Sequence, residues 1–222
     1  MTKSANERVE GFCEAASRHY PPVDTFPYHG GRAHLREVIT AASELATIGY
    51  SRGLITAKDS EAYLFGMAYH DAGYGQDLIQ AGFETPEDYA ARIALAELPE
   101  WFTPDQTDTI RETISATKPG AERGTSHEIF AHIADLAYFG LAYEQFKHRV
   151  RAYWQEIGSP RFSAFQDNTL AFGQHAVAEA RHGLLMAGLE GFRADMYPHR
   201  VEANLTVFAH ETEGTWHANH RD

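Results

Sequence analysis

The sequence predicts an all-α fold, a compact multi-helix bundle, and three observations predict it. Apolar residues recur at three- and four-residue spacing, as in the stripe Leu35, Val38, Ile39, Ala42, Leu45 and Ile48. No segment shows a convincing alternation of apolar and polar residues, the mark of a half-buried strand. Helix boundaries are written in a repeated grammar of a capping hydroxyl, an early proline and a glycine or proline beyond the end.

Taken in order, a first helix is expected over about 6–17, after which Pro21, Pro22 and Pro27 enforce an extended connection. A second runs over about 31–50 and a third over 56–69, capped by Thr56 or Asp59. Thr85-Pro86-Glu87 opens a fourth that continues through Tyr89, Ile93 and Leu98. Thr103-Pro104-Asp105-Gln106 repeats that start with Gln106 where a capping box wants it, and this helix stops before Pro119-Gly120. Further helices are expected over 126–140, 141–157, 161–189 and 198–209. The tail, 210–222, is polar and expected to fray.

The 222 residues are 43% hydrophobic, enough for one domain with a sizeable core, and no Gly/Ser/Pro-rich linker marks a boundary. The expected division is a motif-bearing core over about 20–140, C-terminal helices over 141–209 and the flexible tail. A formal net charge of −12 repels polymeric nucleic acid and anionic membranes, while leaving room for a small anionic substrate beside a metal and a few local cations. Cys13 is the only cysteine, which rules out a disulfide framework or a thiolate zinc cluster. The first residues lack the apolar core of a signal peptide, and no apolar stretch approaches the roughly 18 residues of a membrane span. A cytoplasmic protein is expected, with a homo-oligomer left open by the many aromatics.

The most informative dipeptide is His70-Asp71. Adjacent helical residues point about 100° apart, so both reach one ion only if the helix runs up to the metal and ends there. The apolar run from Ala62 to Tyr69 leads into the pair, and Gly73 and Gly75 follow as stops. An imidazole beside a carboxylate suits a divalent ion such as manganese, iron, cobalt, nickel or magnesium. Further ligand types flank the pair. His29 and His34 lie upstream in Tyr28-His29-Gly30-Gly31-Arg32-Ala33-His34. Asp135 stands downstream inside the apolar run Ala131-His132-Ile133-Ala134-Asp135-Leu136-Ala137, where a lone carboxylate is costly unless paired or bound to a cation. Thirteen histidines weaken any case made from one of them, and His217 and His220 are expected to be plain tail residues.

On these residues the chain resembles the HD superfamily of metal-dependent phosphohydrolases, whose pattern is H…HD…D on an all-α fold. The resemblance covers roughly residues 20–140. It rests on Tyr28-His29 with His34, Tyr69-His70-Asp71, Pro86-Glu87-Asp88, Ile114-Ser115-Ala116-Thr117, and Ala134-Asp135-Leu136-Ala137 with Gly140. It implies a bundle of HD-domain type in which His34, His70, Asp71 and Asp135 hold one divalent metal ion. It also implies hydrolysis of small phosphate esters, nucleotides foremost, by water activated at that ion. Asp71 and Glu87 are then the acid/base candidates, although Glu87 equally suits a first-turn partner of the helix dipole. His29, Arg32 and Lys118 are the substrate-facing candidates, with purely structural or surface roles as the alternative. Tyr28, Tyr69 and Tyr74 are placed either to stack on a base or to pack in the core.

One departure matters. Two-metal relatives carry extra histidines after the threonine motif, whereas Thr117-Lys118-Pro119-Gly120 has none, and no histidine lies between His70 and His127. This argues for a single ion, with His127 and His132 as the residues through which a second metal would have to bind. Two other readings stay open: a non-catalytic metal- and nucleotide-binding HD module, and a di-iron HD oxygenase.

Overall fold

A computed structural model describes residues 4–30, 32–186, 188–189 and 196–218. Among them there are eleven α-helices, one 3₁₀ turn and no strand, so the fold is all-α. The chain divides into two compact units, Met1–Asp135 and Leu136–Asp222, each described by itself. No helix among the described residues is long and apolar enough to cross a membrane.

The first unit holds α1 (Ala5–Ala16), α2 (Arg32–Ser51), α3 (Ala57–Tyr69), α4 (Leu78–Ala81), α5 (Pro86–Ala96), α6 (Pro104–Ser115) and α7 (Ser126–Asp135). Helix α3 is its axis. Ala62, Tyr63, Phe65, Gly66, Met67, Ala68 and Tyr69 are all buried, and this later part of the helix, apolar all round, must be enclosed. It packs against α1, α2, α5, α6 and α7. Gly66 permits a close crossing, because a Cβ there would meet the Thr113 side chain of α6 at 2.9 Å. The expected caps form. Thr56 and Thr103 each close a capping box, with Asp59 and Gln106, and the Thr85 hydroxyl accepts the Asp88 N–H.

The second unit holds a 3₁₀ turn (Ala137–Gly140), α8 (Tyr143–Glu156), α9 (Phe162–Met186), α10 (Met196–Phe208) and α11 (Glu213–Ala218). Its polar centre is Glu211, which accepts from Lys147 Nζ at 2.6 Å, Tyr143 Oη at 2.9 Å and Thr215 Oγ1 at 2.6 Å.

Two local expectations are corrected, and a third element was not anticipated. The helix expected over 126–140 ends at Asp135 and resumes only as the 3₁₀ turn. The carbonyls beyond that break are taken by side chains: Tyr197 Oη donates to Leu136 O, and Asn204 Nδ2 donates to Phe139 O and Leu141 O. Second, the tail expected to fray contains α11, whose Trp216 is fully buried among Trp154, Phe162, Phe165 and Phe208. Residues 219–222, with His220, and the His217 side chain lie outside the described residues, as does Gly31 at the expected start of α2. Third, α4 is a single turn that the spacing of apolar residues does not announce, capped by Asp77 and closed by Gly82 in the left-handed region.

Two outcomes follow from this packing. A Cβ at Gly73 would lie 1.9 Å from the Pro86 carbonyl oxygen, a backbone atom with no freedom to yield. Gly73→Ala should therefore cost about 1–3 kcal/mol or more in denaturant unfolding, as overpacked sites do. In the second unit, burial pushes the Glu211 carboxyl up, but Lys147, Thr215 and Tyr143 outweigh it and hold it below 4.5. A depressed carboxylate stabilises above its unfolded value and loses that stabilisation as pH falls through its lower folded value. The stability advantage of the native chain over Glu211→Gln should thus be full at neutral pH and shrink on titration below about 4.5, in thermal melts across that range.

Candidate metal centre

Helices α2, α3 and α7 pack against one another, and their ends carry the four ligand-type residues to one point. His34 lies in the first turn of α2. His70 is the C-cap of α3, with Asp71 just beyond it. Asp135 is the last residue of α7. The requirement that a helix stop at the His-Asp pair is thus met. One ligand atom from each residue falls within 4.8 Å of every other. His34 Nε2 is 3.1 Å from Asp71 Oδ2 and 3.6 Å from Asp135 Oδ1. His70 Nε2 is 3.2 Å from each of the same two oxygens.

These contacts are short, yet His34 Nε2, His70 Nε2 and Asp71 Oδ2 form no hydrogen bond of acceptable geometry and are sealed from solvent. Buried polar atoms without partners are rare, because each costs about 1–3 kcal/mol. Ligands about 2.0–2.2 Å from a common ion stand about 3.0 Å apart at right angles and about 3.4 Å apart in a tetrahedron, close to the separations found here. The donor set of two imidazoles and two carboxylates fits a divalent cation, whose charge offsets that of the acids.

The charges respond to one another. Burial alone would lower the His70 and His34 imidazoles, but the Asp71 and Asp135 carboxylates raise both, His70 well above its ordinary value. Burial would raise the two carboxyls. The imidazoles reverse this, holding Asp71 well below the usual range and Asp135 at about 2. The carboxylates thus favour the protonated imidazoles, and an ion bound at this point would have to displace those protons.

The other expected residues are placed as follows. Glu87 is buried in the first turn of α5, brought near by the close approach of Gly73 to Pro86. Burial raises its carboxyl, and the charge of Asp71 adds to the effect. His29 is buried, stacked on Tyr74 at 3.8 Å and 13° and edge-on to Tyr28 at 4.5 Å. Its ring is 6.4 Å from that of His34, and it acts electrostatically on Asp71. Arg32 is exposed and donates to Ser17 Oγ at 3.3 Å. Lys118 Nζ donates to Asp88 Oδ1 at 2.5 Å, on the turn that carries Glu87. Tyr69 is a core residue, its hydroxyl donating to Glu97 Oε2 at 2.6 Å. His127 contacts Glu112 at 2.9 Å, and His132, one turn before Asp135, is not among the four. Among the described residues no second group of three or more metal-ligating side chains gathers. Burial pushes the Cys13 thiol up to about 11, where it is a poor nucleophile.

Tyr20 was not expected. Its hydroxyl donates to Ala68 O at 3.1 Å and lies 3.3 Å from His70 Nδ1. No spacing signals it, since it stands just ahead of the prolines of an extended connection.

A divalent ion that binds only the folded protein must stabilise it, by about 2.7 kcal/mol at a concentration 100-fold above Kd. Manganese or cobalt should raise the melting temperature of the native chain and leave that of Asp135→Asn unmoved, in melts of chelator-stripped protein.

Comparison with protein-family models finds no match, and comparison with curated proteins finds none either.

Proposed function

We propose that the first unit is a metal-dependent phosphohydrolase holding one divalent ion through His34, His70, Asp71 and Asp135, and acting on small phosphate esters, nucleotides foremost. The observation that carries this reading is the four-residue cluster, with ligand atoms within 4.8 Å and buried ring nitrogens lacking hydrogen bonds. The resemblance of the surrounding motifs to the HD superfamily supplies the reaction class, and the net charge of −12 supports a small substrate over polymeric nucleic acid. The same reading places the enzyme in the cytoplasm, in keeping with its single cysteine.

A divalent ion, when bound, supplies Lewis acidity, lowering the pKa of a ligated water and offsetting charge on a phosphoryl oxygen. The protein's own groups do the rest. Glu87 has a raised carboxyl near Asp71, so it is suited to hold a proton and pass it to a leaving oxygen. The two buried imidazoles keep their Nε2 atoms directed at one point, beside the buried Asp71 carboxylate. His29, fixed by its stack on Tyr74, is the best-held donor for a phosphate oxygen.

One observation favours a second reading, a non-catalytic metal- and nucleotide-binding module. Arg32 and Lys118, the cations expected to grip phosphate, are engaged with Ser17 and Asp88. A panel of nucleoside mono-, di- and triphosphates with added manganese, cobalt or nickel separates the two. The enzyme reading expects phosphate release that Asp71→Ala abolishes. It also expects Glu87→Gln to lower kcat by about 10²–10⁴ with the metal content unchanged. Bound metal and measurable nucleotide affinity without turnover would support the module.

A further inference from the structure

We infer that Tyr20 is a positioning residue for the metal ligand His70, setting the affinity of the site through its hydroxyl; this rests on the single-ion reading above. The physical problem it solves is the ending of α3. The last carbonyls of a helix have no partner within it, and here that end is buried. They are taken in turn. His70 Nδ1 lies 2.8 Å from Met67 O, Tyr20 Oη donates to Ala68 O at 3.1 Å, and the Ala72 N–H donates to Tyr69 O at 2.9 Å.

The contact of His70 with Met67 fixes the tautomer. Met67 O only accepts, so Nδ1 carries a hydrogen, and Nε2, which faces Asp71 and Asp135, is the nitrogen left to offer its lone pair to an ion once its proton is displaced. The Tyr20 oxygen, having spent its hydrogen on Ala68 O, presents lone pairs 3.3 Å from the same Nδ1–H. That hydrogen is therefore held by two acceptors, one from the helix and one from the segment ahead of α2. A ligand histidine so held is fixed in orientation and is a stronger donor to the metal. Tyr20 is itself fixed: it is buried, and the segment it opens seats tightly, with Pro21 Cβ and the Phe26 ring 3.0–3.1 Å from where a Gly75 Cβ would lie.

The test uses the full chain, stripped of metal, as wild type, Tyr20→Phe and Asp135→Asn. Three quantities are measured: manganese Kd from the paramagnetic resonance of free ion, the visible spectrum of the cobalt form, and the melting temperature without metal. Tyr20→Phe should melt within about 4–8 °C of wild type, the loss of the bond to Ala68 O and of the contact with His70 Nδ1. It should bind manganese about 10–100-fold more weakly and change the cobalt spectrum. Wild-type affinity with an unchanged spectrum overturns the role of Tyr20, as does a lowered melting temperature with unchanged Kd. Should Tyr20→Phe not fold, difluorotyrosine in place of Tyr20 keeps ring and hydroxyl while weakening the oxygen as an acceptor. A smaller loss of affinity in the same direction then supports the role, and none overturns it. A wild type that binds no manganese sinks the ion reading itself, whereas binding lost in Asp135→Asn but intact in Tyr20→Phe sinks only the role of Tyr20.

Discussion

Two carboxylates and two imidazoles converge where α2, α3 and α7 meet, and the first unit is organised around that buried charge. Carboxylates in such a place are strongly disfavoured unless they are paired or bound to a cation. The chain meets the cost at the ends of helices rather than along their faces. His34 opens α2, His70 and Asp71 follow the last turn of α3, and Asp135 closes α7. Helix ends already carry unpaired backbone groups, so polar side chains there share the burden of satisfying them.

This arrangement makes the glycines at the site matter. Gly73 lets the chain after Asp71 touch the backbone of Pro86, and that contact carries Glu87 toward the cluster. Gly30 plays the same part on the other side, since a Cβ there would lie 2.3 Å from the Phe26 carbonyl oxygen. The segment bearing Tyr28 and His29 is thereby folded tightly on itself. Catalytic-type residues on loops gain precision from such backbone contacts, which a side chain larger than hydrogen would prevent.

Much of the first unit was legible in the sequence because its signals are local. The start of α5 at Thr85-Pro86 and the capping boxes at Thr56 and Thr103 depend only on residues three apart. The His70-Asp71 ending was legible because an apolar run meets two glycines there. What was not legible depends on contacts distant in sequence. The break after Asp135 is made by Tyr197 and Asn204, more than sixty residues away, capturing carbonyls that the periodicity of 126–140 assigns to a continuous helix. Trp216 gives its polar tail a core to enter, and no spacing rule marks a single tryptophan as an anchor. Tyr20 and the His29–Tyr74 stack are likewise tertiary contacts. Sequence spacing named Arg32 and Lys118, but it does not show that Ser17 and Asp88 hold them.

The proposed function requires one divalent ion among His34, His70, Asp71 and Asp135. The most direct measurement is a calorimetric titration of metal-stripped full chain with manganese, read for stoichiometry. One ion per chain is expected, with protons released as metal displaces them from the imidazoles. Two ions per chain, or no binding at all, would contradict it.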